Sequence, residues 1–194
     1  MKLTALAPLA ILPLIAACGS NDDYGLPGNE SLYIGSGADV TAAGIAHDDA
    51  VADALTVEAV EGTTVLGELP SSGRVSYVGT IEGVGLDADY YADLGMRADL
   101  ETGDVDGQIA NFYWTDARGW NGVIGLDGEV SDVLTSAGVA VSGDGTLTNG
   151  TASAAYTVDI DGFLYGDDGT AFYMDGTSTA GAETFDTEAA GVRD

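Results

Sequence analysis

From Gly73 onward the chain alternates apolar and polar residues with a period of two, the signature of strands buried on one face. In "RVSYVGTIEG" the period places Val75, Tyr77, Gly79 and Ile81 on one side. "MRADL" sets Met96, Ala98 and Leu100 against Arg97 and Asp99, and "TASAAYTVDIDG" sets Tyr156, Val158 and Ile160 against Thr157, Asp159 and Asp161. Turn signals divide these runs at Thr102-Gly103-Asp104, Leu126-Asp127-Gly128, Asp144-Gly145, Asn149-Gly150 and Asp167-Asp168-Gly169. Asn-Gly and Asp-Gly supply the positive φ that tight hairpins need. The spacing predicts an all-β fold of about eight antiparallel strands closing into an up-and-down β-barrel, which leaves no free edge. Asp and Thr on the outward positions predict a water-facing exterior, since a membrane barrel needs an apolar outer band. Upstream, residues 41–72 are ambiguous: Ala- and Asp-rich at first, then "LTVEAV", which fits either a strand or a short helix.

The first residues follow another pattern. Met1-Lys2 is a short basic start, and Leu3 to Ala17 is almost wholly apolar but short of the ~20 residues of a membrane span. This is the layout of a secretory signal peptide over residues 1–17. Ile15-Ala16-Ala17-Cys18 resembles the bacterial lipobox, which implies that Cys18 is acylated and becomes the first mature residue. The other reading is an ordinary signal peptide with an incidental cysteine. Gly19, rather than Asp, follows Cys18, so the expected destination is the outer membrane. Two or three acyl chains at ~0.8 kcal/mol per buried methylene hold firmly to a bilayer. Residues 18–40 are polar and Gly-rich and read as a flexible tether.

Composition narrows the function. The chain of 194 residues has 32 acidic against 5 basic side chains, a formal charge of −27. Lys2 is the only lysine, so residues 18–194 carry four arginines and no lysine. Such a chain has no basic surface for nucleic acid and no polybasic patch for anionic lipid. Catalytic signatures are sparse. With Cys18 expected to be lipidated and His47 the only histidine, a Cys/His zinc site or a Cys–His nucleophile is not expected. Schiff-base chemistry and a phosphate-cradling loop both need a lysine that is absent. Gly35-Ser36-Gly37 lacks the third glycine of a dinucleotide fingerprint. Asp104-Val105-Asp106-Gly107 and Asp159-Ile160-Asp161-Gly162 hint at calcium loops but complete none, and turn chemistry explains them. His47, beside Asp48-Asp49, reads as a solvated histidine rather than a triad member or haem ligand. The expectation is no catalytic residue, no metal ligand and no cofactor.

Against this background Ser72-Gly73-Arg74-Val75-Ser76-Tyr77-Val78-Gly79-Thr80 resembles the opening strand of the transferrin-binding protein B β-barrel domain family. "MRADLETGDVDGQI" is similar to that family's next hairpin, with Asp99, Val105, Gly107 and Ile109 in place and Leu100 where Phe is usual. Gly162-Phe163-Leu164-Tyr165-Gly166 resembles a late Gly-x-Phe-Tyr-Gly segment, and the final Gly191 loosely matches the closing strand. The resemblance covers residues 73–194 and implies a surface lipoprotein of Gram-negative bacteria, exported by an outer-membrane assembly protein and binding a partner through variable loops. It makes residues 41–72 a vestigial handle domain.

Three functions follow as expectations: a surface-displayed binding module, a carrier of haem or lipid in the barrel mouth, or a passive envelope lipoprotein. The candidate partner-binding residues lie in "NFYWTDARGW", which holds both tryptophans: Tyr113, Trp114, Arg118 and Trp120. Trp, Tyr and Arg dominate interface hot spots. The same rings could instead plug the barrel core.

Overall fold

The computed structural model describes residues 39–116 and 118–194. Cys18, the expected signal peptide and all but the end of the expected tether therefore lie outside the described residues. Eight antiparallel strands form a closed barrel in sequence order: β1 (Arg74–Val84), β2 (Asp89–Asp99), β3 (Asp104–Trp114), β4 (Ile124–Val133), β5 (Ser136–Asn149), β6 (Ala152–Tyr165), β7 (Ala171–Ala180) and β8 (Glu183–Arg193). Closure is made by β1 and β8, paired from Tyr77↔Arg193 to Val84↔Asp186. This is the up-and-down barrel that the alternation predicts.

Three of the expected turns are turns: Gly103, Gly150 and Gly169 have φ of 82°, 60° and 68°. Two are not. Leu126-Asp127-Gly128 lies inside β4, and Asp144-Gly145 inside β5. There glycine answers to close approach rather than to a turn. A Cβ on Gly128 would stand 2.1 Å from the Ala140 carbonyl oxygen. The actual β4–β5 turn uses Leu134 and Thr135, with φ of 53° and 79°, and carries no glycine to announce it.

The ambiguous segment is a helix of 22 residues, α1 (Val40–Glu61). Asp39 caps it, its side chain accepting the Ala42 amide at 2.9 Å, and Gly62 ends it at φ 84°. Its buried face is Ala43, His47, Ala50 and Ala54. Side chains this small let the helix lie close against the outer face of the barrel, where it meets Tyr165, Ala171 and Ala190. Because α1 covers the closure seam, β1 is buried on both faces around its centre: Val78 and Thr80 are shielded outside while Tyr77 and Ile81 fill the interior.

Inside, Tyr90, Phe112, Trp114, Tyr156, Phe172 and Phe185 pack with Ile81, Leu94, Ile109 and Ile160. The Tyr90 hydroxyl shares hydrogen bonds with Tyr156 (2.7 Å) and Ser178 (2.8 Å), and Thr187 donates to Ser178 at 2.8 Å. These polar tips are paired with one another, which keeps the desolvation cost low. Burial, first of all, raises the phenols of Tyr90 and Tyr156.

Candidate functional site

Two places gather chemistry: the rim that carries the loops after β1, β3, β5 and β7, here called the upper rim, and the junction of α1 with the seam.

At the upper rim the β3–β4 connection folds over the barrel mouth. Its start is tied to β2, Asp89 N–H donating to Thr115 Oγ1 at 2.8 Å and Thr115 N–H to the Asp89 carbonyl at 2.9 Å. Its end is tied to β5, where Asn121 and Thr148 exchange backbone hydrogen bonds of 2.9 and 2.8 Å. Between these ties Arg118 Nε donates to Asp116 Oδ2 at 2.7 Å, and its Nη1 donates to Glu183 at the start of β8. Burial raises the Asp116 carboxyl, but the backbone and guanidinium of Arg118 draw it down, leaving it below the usual range.

The four candidate residues of this segment occupy different depths. Trp114 is inside the barrel with 7% exposure, its indole N–H donating to the Trp120 carbonyl at 2.7 Å. Tyr90 and Phe185 face its ring at 5.1 and 5.8 Å between centroids. Arg118 lies over the same ring at 5.0 Å, a cation–π contact, and is half-buried. Trp120 packs partly against the core, and Tyr113 is half-buried on the outer face. The structure thus brings Trp114, Arg118 and Trp120 together, Arg118 over the Trp114 ring and Trp120 through its backbone carbonyl, and leaves Tyr113 apart. On loops of the same rim, Leu86 is 99% exposed and Val123 65%.

The parity of this segment depends on a bulge. Val105 and Ile109 face inward, so uninterrupted alternation would turn Asn111 and Tyr113 inward too. Asn111 takes φ 56°, and the β2–β3 register shifts between Tyr91 and Asp93. The extra residue brings Phe112 and Trp114 into the core instead.

The opposite mouth is closed as well. The chain after α1 crosses it: Thr64 N–H donates to the Leu164 carbonyl at 2.9 Å, and the Thr64 carbonyl accepts Ala137 N–H at 2.8 Å. Leu66 and Leu69 of this crossing pack against the core.

At the seam, His47 corrects the expectation of a solvated histidine. Docking of α1 leaves it 1% exposed. Its Nδ1 and Thr80 Oγ1 share a hydrogen bond of 3.0 Å, while Nε2 stands 3.3 Å from Glu188 Oε1 and 3.6 Å from Glu82 Oε2. Glu82 and Glu188 are direct cross-strand partners over the closure. Each carboxylate has a phenol beside it: Tyr173 donates to Glu188 Oε2, and Tyr91 is the cross-strand partner of Glu82. Burial, then Glu82, pushes Tyr91 up to about 12, and burial, then Glu188, pushes Tyr173 higher still, so both stay protonated donors at neutral pH. The sequence carried no signal for this grouping, because its three members lie on three elements.

No protein-family model matches the chain, and no curated protein matches it. Among solved structures it is similar to transferrin binding protein B from Haemophilus parasuis, a vaccine antigen, in a single-mutant crystal form. That match has 13% identity and a TM-score of 0.49, over 68% of this chain and 29% of the other. A double mutant of the same antigen matches at 14% identity and a TM-score of 0.44, over 68% and 28%. The chain thus spans under a third of the length of these proteins.

Proposed function

We propose that this protein is a non-catalytic binding module of the Gram-negative outer membrane, anchored by acyl chains on Cys18, displayed at the cell surface and meeting a protein partner through the upper-rim loops. The observation that carries this reading is a barrel filled with aromatic side chains and closed at both mouths. A carrier needs interior volume, which Tyr90, Phe112, Trp114 and Phe185 take up at one end and Leu66 and Leu69 cap at the other. What remains for recognition is the outside. There the partly buried Trp120 and the exposed Leu86 and Val123 of the upper-rim loops form an apolar feature on a chain of formal charge −27, with Arg118 held among them by Asp116 and Glu183. The lipobox, the tether and the family resemblance supply the anchor, the reach and the surface address.

The test uses intact cells of the source bacterium and the purified full chain. Protease added outside the cells should remove the domain, and Cys18→Ser should abolish both acyl labelling and surface retention. A protein captured by the wild-type chain should be lost with Leu86→Asp and Trp120→Ala and kept with Leu134→Asp on the opposite rim, which is also exposed (94%). Capture unaffected by both upper-rim variants would place recognition elsewhere and refute the proposal.

A further inference from the structure

The junction of α1 with the barrel seam has the makings of a metal site. Two glutamates stand directly opposite each other on β1 and β8, an arrangement that repels in a sheet unless a positive charge lies between them. The row continues across the sheet: Asp175 pairs with Glu188, and Asp161 with Asp175. Arg74, Arg97 and Arg118 make their ion pairs with Asp99, Asp106, Asp116 and Glu183, on other parts of the surface. Into this acidic row α1 delivers the chain's single imidazole, buried and aimed by its Nε2 at both carboxylates.

Both distances from the imidazole are those of a coordination shell. Tetrahedral zinc with bonds of about 2.0–2.2 Å to nitrogen and oxygen sets its donor atoms about 3.3–3.6 Å apart. Here Nε2 lies 3.3 Å from one carboxylate oxygen and 3.6 Å from the other, with all three ligand atoms within 4.8 Å of one another. The supporting contacts are also those of a metal site. A ligating imidazole donates its second ring N–H to a fixed acceptor, the position Thr80 Oγ1 occupies, and ligating carboxylates are hydrogen-bonded from outside, as Tyr173 does for Glu188 here. One neutral imidazole and two carboxylates neutralise a divalent ion in charge. The groove outside Glu82 and Glu188, lined also by Asp175 and Asp186, opens to solvent and leaves room for a water ligand.

We propose that His47, Glu82 and Glu188 bind one divalent first-row transition ion, zinc by ligand set and spacing, which clasps α1 to the β1–β8 seam. The site is independent of the upper rim and of any partner bound there. Metal binding to the folded state alone stabilises it by mass action, so the clasp makes docking of the helix sensitive to the free metal concentration.

Because His47 is the only histidine, full-length protein labelled with ¹⁵N-histidine reports one imidazole without assignment. After chelator treatment, Zn²⁺ alone is titrated in. The expected result is a shift of Nε2 to the metal-bound range, complete at one equivalent, with Nδ1 remaining protonated. Glu82→Gln and Glu188→Gln, which keep the volume and remove a charge, should each weaken this binding ~10-fold or more. The melting temperature should rise with Zn²⁺ in the wild type and not in His47→Gln. An Nε2 that stays protonated on Glu188 in a ~10-fold excess of Zn²⁺, or a shift of equal affinity in both glutamine variants, would overturn the proposal.

Discussion

At Thr135 a β-branched residue sits at φ 79°, directly after Leu134 at φ 53°. The left-handed region costs a non-glycine residue ~1–2 kcal/mol, only partly returned by the Asp132 side chain, which accepts the Thr135 amide at 2.6 Å. Thr135→Gly keeps that amide and removes the strain, at some cost in unfolded-state entropy. It should stabilise the protein by up to ~1 kcal/mol, seen as a rise of ~2–4 °C in melting temperature; a fall would show that the turn is unstrained. The same two residues explain why this turn was illegible while Asn149-Gly150 was plain. A glycine writes its permission into the sequence, whereas a strained threonine is held in place by pairing on either side. His47 teaches the converse. Its neighbours Asp48 and Asp49 suggest solvent, but they lie on other sides of the helix, and the residues that bury it lie on β1 and β8.

Among the elements, the strands were legible because each has an apolar inner face repeating every second residue. The helix was not, although Asp39 and Gly62 at its ends are good caps. Its buried stripe is alanine and histidine, and alanine contributes too little apolar contrast for the 3.6-residue period to stand out. That stripe has a physical purpose, which is close packing. Ala50 is fully buried beside Tyr165, Ala171 and Ala190, so Ala50→Leu forces the helix outward while leaving the interior untouched. Overpacking of this kind costs ~1–3 kcal/mol. Circular dichroism should show part of the helical signal melting ahead of the β signal; one cooperative transition at the wild-type temperature would mean that α1 has slack against the barrel. β3 shows the limit of reading strands by parity. Without the bulge at Asn111 the core would receive Asn111 and Tyr113, and a sequence window that starts after the bulge finds the right face only by chance of framing.

For the molecule as a whole, a formal charge of −27 makes self-repulsion the dominant long-range term. The four arginines remove little of it, and rows such as Glu82, Glu188, Asp175 and Asp161 concentrate it across neighbouring strands. Stability should therefore climb as NaCl increases from ~0.01 M to ~0.5 M, because the screening length shrinks from ~30 Å to a few ångströms. A melting temperature that is flat over this range would mean that the carboxylates are already compensated. Alternation and turn chemistry determined the all-β class, the strand number and most strand faces, since a barrel strand needs only one apolar side and a way to reverse. The acidic composition, with no lysine after Lys2, and the resemblance of residues 15–18 to a lipobox were equally a matter of sequence. Closure and the docking of α1 decided the rest. They set Glu82 against Glu188, drove His47 between them, and turned Trp114 inward beneath Arg118, because each of these contacts joins residues far apart in the chain through register and packing that no local pattern records.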